Sequence, residues 1–503
     1  MQNSIYFLNE SIDYTNSGVE IASMKRTLLF ENDMNQTPGF VTVKFHPFYQ
    51  DVISDHILNG KLPSAIQHVN LYDYYRNKFS DGAITTEVED KFEHYNIKEV
   101  NDTFDKRYYH QNQLVIYEKR DDKNRLQHRN YFFNKQKHMR KKYDHNGLLI
   151  QTQILRMSDG KVFQESYHTL EGKTWLMKFY DEKDDKVLFH LLEENGSIAN
   201  VFFSEQNLIE HFLKEITRLD VCSIFIIDKE RVFYPIIREW DRSKYKIICM
   251  IHSTHLSNST DHLKGKINSN YQLIFDNLNL PNGIVVFTNK QRDHIIQRYG
   301  VQENLHVIPH AIEADTQNIE FGKRDPNLII SLGRFAPEKQ FDHLINAMVD
   351  VIKVVPNARL ELYGKGALIT KYKELISQIG LEKSISIKPY ETDVAAIYRK
   401  ASLSVLTSKA EGFSLFVQES LSFGCPVVSY DVNYGPSDMI QNSENGYIVT
   451  CNDVKELSQK IIEVLENKEL NMRMSLSAYD KIKQFSSKQI SKKWQDLINK
   501  IVE

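Results

Sequence analysis

The chain has 503 residues, more than one hydrophobic core usually supports, so two or three domains are expected. Hydrophobic residues at 41% and charged residues at 26% are ordinary for a globular protein and exclude disorder as the main state. The 63 Lys and Arg against 66 Asp and Glu give a formal charge of -3, which excludes a global field for nucleic acid or an anionic membrane, so a charged partner must meet a local patch.

The first ten residues lack a basic segment and a long apolar run, so no secretory signal is expected, and no window nears the ~18 apolar residues of a membrane span. Residues 4–8 read as a buried strand, and Asn16-Ser17-Gly18-Val19-Glu20 leads into a helix-period run ending near Asn32. Strand, small-residue loop and helix are the start of a doubly wound α/β unit, with further strands expected at 41–45 and 69–72. From about 77 to 203 the chain turns rich in Tyr, Phe and alternating charge. Turn signals recur at Asp144-His145-Asn146-Gly147, Ser158-Asp159-Gly160, Glu171-Gly172, residues 181–185 and Glu194-Asn195-Gly196. That spacing predicts an inserted antiparallel β-meander.

The α/β rhythm returns after 204, with strands expected at 221–227, 246–251, 283–288 and 305–308. A second series follows at 328–334, 359–364, 385–390, 403–407, 426–430 and 447–449. The fold class is therefore α/β, two doubly wound Rossmann-like domains with an inserted antiparallel meander. The boundaries expected are 1–76 with 204–312 for the first domain, 77–203 for the insert, 313–484 for the second domain, and 485–503 for a helix crossing back to the first. Cys222, Cys249, Cys425 and Cys451 are widely separated, two of them in apolar runs, which reads as reduced thiols without metal-ligand spacing. A cytoplasmic protein is expected.

Ligands of open α/β sheets bind beyond the C-terminal strand ends, so the loops there carry the candidate site. Gly333-Arg334-Phe335-Ala336-Pro337-Glu338-Lys339 offers a planar fork and a point charge five residues apart, suited to a diphosphate without a metal; alone, such a pair reads as solvated surface charge. Ser408-Lys409-Ala410-Glu411-Gly412-Phe413-Ser414-Leu415-Phe416-Val417-Gln418-Glu419 places two carboxylates around a loop that opens a helix. The helix N-terminus suits phosphate oxygens, whereas Glu411 and Glu419 suit hydroxyl groups of a sugar and a ribose, so the constellation fits a nucleotide-sugar. His252 and His255, in Ile251-His252-Ser253-Thr254-His255, follow a buried strand and offer contacts to a sugar or an acceptor; a metal reading lacks a third ligand. His310 lies at another strand exit. Gly18 lets backbone approach a phosphate, with an ordinary turn as the alternative. Tyr390, at the exit of the strand expected at 385–390, joins the candidates. In the insert, Arg140, Lys141 and Lys142 form a basic run that either meets an acidic acceptor or is simply a solvated face.

Gly333-Arg334 with Lys339, Glu411-Gly412-Phe413-Ser414-Leu415 with Glu419, Gly424-Cys425-Pro426-Val427-Val428 and Tyr434-Gly435-Pro436-Ser437-Asp438 together resemble the retaining GT-B glycosyltransferases of family 4. The β-rich insert and His252-Ser253-Thr254-His255 look like its Gram-positive subgroup, which includes wall teichoic acid α-N-acetylglucosaminyltransferases and transferases of serine-rich or serine–aspartate repeat adhesins. The resemblance implies a UDP-sugar donor, UDP-N-acetylglucosamine favoured, no metal, and an insert used for acceptor binding or homo-oligomerisation. It matches Arg334 and Lys339 to the diphosphate-binding pair, Glu411 and His252 to contacts with the donor sugar, and Glu419 to the ribose. Gly412, Phe413, Ser414 and Leu415 fall in the donor loop. The expected acceptor is a serine–aspartate repeat or serine-rich surface protein, with wall teichoic acid as the alternative. A phosphorylase or synthase and a non-catalytic GT-B partner subunit are the competing readings.

Overall fold

The structure is a computed structural model and describes residues 4–82, 94–183, 186–257, 261–315, 323–391 and 393–503, so the last two residues of the turn expected at 181–185 lie outside the described residues. Two compact units divide the chain: Met1–Thr27 with Thr37–Tyr245, and Leu28–Gln36 with Lys246–Glu503. In the first unit, parallel strands Ser223–Ile227, Ser4–Asn9, Gly39–Thr42 and Gln67–Asn70 lie side by side in that order. Phe7, Leu8, Phe40, Val41 and residues 224–227 are buried without alternation, the pattern of a parallel sheet covered on both faces. The strand expected at 69–72 stops at Asn70. Its side chain accepts from the Tyr72 and Asp73 N–H groups and caps the helix Leu71–Lys78, which makes Leu71 and Tyr72 helical. The strand expected at 41–45 ends at Thr42.

The insert is a ten-stranded antiparallel sheet whose strands follow one another in chain order from Asn96–Glu99 to Ile198–Phe202. Gly147, at φ 78°, closes the turn between Gln136–Tyr143 and Leu149–Leu155, a backbone conformation glycine adopts without penalty. Earlier turns at Gln111-Asn112 and Asn134-Lys135 reach positive φ without glycine.

The strand Tyr245–Met250, which belongs to the second unit from Lys246 onward, forms a parallel run with Gly283–Val286 and Leu305–Val307. A separate six-stranded parallel sheet runs edge to edge through Ile385–Lys388, Arg359–Tyr363, Asp325–Leu332, Ala401–Leu406, Val427–Tyr430 and Gly446–Val449. The central strand is the first in sequence, so the order reverses beside it, the arrangement that opens a ligand crevice. Phe341, Leu344, Ile345, Met348 and Val351 bury one stripe of the helix Phe341–Val354 against this sheet. The last helix, Ser487–Val502, sets Trp494 edge-on to Phe30 at 5.5 Å, and Leu497 packs beside Gly283. Among the described residues no cysteine is joined in a disulfide.

Candidate functional site

The strand Asp325–Leu332 delivers Gly333, whose N–H donates to the Tyr363 carbonyl; the Phe335 N–H donates to that of Lys365. Phe335, buried between Phe341 and Tyr372, anchors the loop. Arg334 points outward, with 73% of its side chain exposed, and Nη2 donates to Glu338 at 2.7 Å. A short 3-10 turn, Pro337–Lys339, is tied to the neighbouring strand exit: the Lys339 carbonyl accepts from Thr407 Oγ1 at 2.9 Å, and the Lys409 N–H donates to the Glu338 carbonyl at 2.8 Å. These bonds carry Lys339 Nζ to 2.7 Å from Glu411 Oε1. The two sequence-predicted charges thus meet at one point of the sheet's C-terminal edge.

Glu411 is fixed by main chain on both sides, its N–H donating to the Asn433 carbonyl and its carbonyl accepting from the Tyr434 N–H. Gly412 is obligatory for space: a Cβ there would lie 2.0 Å from the His252 carbonyl oxygen. Likewise a Cβ at Gly435 would lie 1.8 Å from the Phe413 carbonyl oxygen. Phe413 is buried among three rings, His310 at 5.3 Å, Phe485 at 5.8 Å and Phe287 at 6.1 Å. Ser414 takes a left-handed conformation at φ 72°, buried with a hydroxyl that meets no hydrogen-bond partner among the described residues. The helix Leu415–Ser422 starts there, with the unspent N–H groups of its first turn. One turn in, Glu419 lies by the buried Tyr398 hydroxyl, which burial first and this carboxylate second push well above the usual phenol range.

His252, past the strand Tyr245–Met250, sits 5.3 Å from the Phe287 ring and lies nearly parallel to His310 at 6.3 Å. The structure therefore gathers His252, Phe287, His310, Gly412 and Phe413 into one cluster. Sequence reasoning missed Phe287 and Tyr398, which no motif marks. Tyr390 is half-exposed past the strand Ile385–Lys388, with Lys365 Nζ 5.1 Å from its ring centroid.

His255 has a different place from the acceptor side expected of it. It is fully buried between the Phe275 and Tyr434 rings, at 5.3 and 5.8 Å. Burial, with the charges of His294, Arg298 and His262, lowers its pKa to about 4. Tyr434 in turn shares a hydrogen bond with His294 Nδ1 at 3.0 Å.

Two sets of candidates belong to the first unit. Gly18 begins the helix Gly18–Met34 behind a capping box, in which the Ser17 N–H donates to Glu20 Oε2 at 3.1 Å. Burial works to raise the Glu20 carboxyl, but Lys229 at 2.7 Å and Ser17 hold it below its usual range. The basic run falls on the strand Gln136–Tyr143, where alternation puts Arg140 and Lys142 on one face and Lys141 on the other. Arg140 Nε donates to Asn130 at 2.7 Å, and Lys142 lies over the Phe45 ring at 5.5 Å. The three cations of the basic run are therefore divided between two faces of the strand.

Residues 313–481 match the family model of glycosyl transferases group 1. The chain carries a group 1 glycosyl transferase domain. It is a glycosyltransferase with the GT-B fold. Over 522 residues it is 24% identical to the poly(glycerol-phosphate) alpha-glucosyltransferase of Bacillus subtilis, an alignment that covers 99% of this chain and 75% of that one. A mutant of S. aureus TarM in complex with fondaparinux, alpha-GlcNAc-glycerol and UDP superposes with a TM-score of 0.87 at 21% identity, over 99% of this chain and 100% of TarM. The pneumococcal O-GlcNAc transferase GtfA in complex with UDP and GlcNAc gives 0.83 at 20% identity, over 100% and 99%. Among the described residues of the glycosyltransferase no helix is long and apolar enough to cross a membrane, and no three His, Cys, Asp or Glu side chains cluster as metal ligands would.

Proposed function

We propose that this chain transfers a hexose or hexosamine from a UDP-sugar, with retained anomeric configuration, to a hydroxyl of a polyol-phosphate chain of the teichoic acid kind. The observation that carries the donor side is the 2.7 Å approach of Lys339 to Glu411 beside Arg334, at the C-terminal edge of the six-stranded sheet. As the bond from the anomeric carbon to the UDP oxygen breaks, negative charge grows on the departing phosphate, and Arg334 and Lys339 stabilise it. The acceptor hydroxyl attacks the same face of the sugar and passes its proton to that phosphate oxygen. Glu411 and His252 hold the donor sugar, Glu419 the ribose, and Gly412, Phe413, Ser414, Leu415 and Tyr390 complete the donor walls. UDP-N-acetylglucosamine and UDP-glucose are the donors to test, and the compartment expected for such a donor is the cytoplasm.

The acceptor side rests on the alignment with the poly(glycerol-phosphate) enzyme, which runs through the insert as well as both α/β parts. A second reading is transfer of N-acetylglucosamine to serine hydroxyls of a serine–aspartate repeat or serine-rich adhesin; the likeness to the pneumococcal transferase over the whole chain favours it. In either case residues 1–76 with 204–312 serve the acceptor, 313–484 bind the donor, and 485–503 cross back to the first of these. The insert, 77–203, also suits self-association: Tyr131, Met139, Ile154 and Phe179 lie in one cross-strand row on a partly exposed face.

The test supplies labelled UDP-N-acetylglucosamine or UDP-glucose with a glycerol-phosphate oligomer, a ribitol-phosphate oligomer or a serine–aspartate peptide, and identifies the product by mass. Label on a polyol phosphate is expected. Label on the peptide alone overturns this acceptor in favour of the second reading.

A further inference from the structure

The first unit holds a cleft of about 680 Å³, inside the ~300–1,000 Å³ range of small-molecule sites, at the edge strand Gln67–Asn70. Its walls come from the start of the helix Tyr49–Leu58, the helix Leu71–Lys78, and Glu215 and Arg218 from the end of the helix Glu205–Ile216 and the turn after it. None of them belongs to the donor machinery.

The lining has two chemistries side by side. On one wall Arg218 extends an exposed guanidinium that pairs with no carboxylate among the described residues, while Lys78 is held by Glu215. The surplus charge on that wall is therefore positive, and a planar fork of five donors suits a phosphate oxygen pair. On the other wall Asp73 uses one oxygen to accept from Gln50 Nε2 at 2.7 Å, and Asn77 adds an amide. A carboxylate held in place by Gln50, with an amide beside it, suits hydroxyls. Asn70 positions this wall through its cap on the Asp73 N–H and its bond to Thr42 Oγ1 at 2.9 Å.

The place of the cleft on the sheet matters equally. Asn9, Thr42 and Asn70 are register partners at the C-terminal ends of three adjacent strands. The Gly18 loop follows the first of these strands and the cleft flanks the third, so two strand spacings of ~4.8 Å each separate the strand ends that lead to them. A chain that alternates phosphate and hydroxyl groups can occupy the cleft with one repeat and extend others along that edge.

We propose that this cleft is an accessory site for the acceptor, holding a phosphate on Arg218 and the adjoining polyol hydroxyls on Asp73 and Asn77, away from the unit being glycosylated. It rests on the polyol-phosphate reading above. The site would give the enzyme a grip on long acceptors that short ones cannot use.

The test measures binding of a glycerol-phosphate hexamer to the full chain, to Arg218→Glu and to Asp73→Asn, together with UDP-sugar hydrolysis without acceptor. Transfer to the hexamer and to a single glycerol phosphate is followed in parallel. The expected result is a tenfold or greater loss of hexamer affinity in Arg218→Glu and a smaller loss in Asp73→Asn. Donor hydrolysis and transfer to the single unit should stay within twofold of the parent. Hexamer binding that is equal in all three proteins overturns the cleft and leaves the acceptor reading standing. A parent chain that hydrolyses the donor yet neither binds nor glycosylates the hexamer overturns the acceptor reading, and the cleft assignment with it.

Discussion

Lys339 and Glu411, 72 positions apart in the chain, meet at 2.7 Å between Nζ and Oε1, each partly shielded from water. The two charges satisfy one another. On the proposed reading a diphosphate would draw on the same ammonium, and a sugar hydroxyl on the same carboxylate, so donor binding would exchange one set of partners for another.

Removal of either charge should therefore separate binding from turnover. Lys339→Ala is expected to lower kcat on the order of 10²–10³-fold, the loss typical of a group that stabilises leaving-group charge. Its melting temperature should change little, because a partly exposed pair contributes only ~1 kcal/mol. Glu411→Gln frees Lys339 and should retain UDP affinity while transfer falls. Calorimetry with UDP alongside initial rates measures both; normal turnover in folded Lys339→Ala contradicts the assigned role.

Gly412→Ala puts a methyl group 2.0 Å from the His252 carbonyl oxygen, where only backbone movement can relieve it. Activity should drop at least tenfold. Gly147→Ala, at φ 78° with no neighbour within 4 Å, is a matched control in which strain alone costs about 1 kcal/mol and the donor site is untouched. Thermal melts and donor hydrolysis distinguish the two.

Acid should destabilise the protein through His255. Its folded pKa of about 4 lies below the ~6.5 of an unfolded histidine, so the unfolded chain binds more protons between those values. Stability is then complete above about pH 6.5 and is lost as pH falls toward 4, on the order of 2–3 kcal/mol for this site. His255→Phe keeps a ring between Phe275 and Tyr434 and should flatten the dependence of melting temperature on pH between 4.5 and 7. An unchanged slope would show that other groups, such as His128 and His168 with similarly lowered pKa values, carry it.

The basic strand should not respond as one patch. Lys142 sets its ammonium over the Phe45 ring and Arg140 bonds a buried asparagine, so Lys142→Ala and Arg140→Ala are expected to lower the melting temperature by a few degrees, ~1 kcal/mol each. Lys141→Ala, which removes a cation over the Tyr131 ring at 5.9 Å on the other face, should lower it by a similar or smaller amount. An equal effect of all three on acceptor KM, with no change in stability, would restore the single patch.

Trp494→Ala removes a buried ring that meets Phe30 and should cost about 3–5 kcal/mol, read as a shift in denaturant midpoint.

Most strands of both parallel sheets were legible because buried parallel strands are continuous β-branched runs, as at Ile224 to Ile227 or Val427 and Val428. The proposed donor loop stood out in the sequence for a different reason: Glu411, Gly412 and Glu419 are spaced within one short segment. What escaped was whatever depends on contacts between distant segments. Asn70 ends a strand because its side chain caps the next turn, and nothing in the apolar pattern of 69–72 signals that. The hairpins at Gln111-Asn112 and Asn134-Lys135 lack the glycine that marked the later ones. His255 looked like a twin of His252, but the aromatic rings that bury it come from 20 and 179 positions further along the chain.

The order of the strands also sets an order of assembly. Each strand of the insert pairs with its neighbour in sequence, so its contacts are local and can form as the chain is made. The first strand of the chain has no such option on one side: Ser4 bonds Asp220, 216 positions later. At ~5–20 residues per second, a ribosome takes about 10–40 s to supply that partner. Through this interval Ser4–Asn9 can pair only with Gly39–Thr42, and its other edge stays open until the insert has been synthesised.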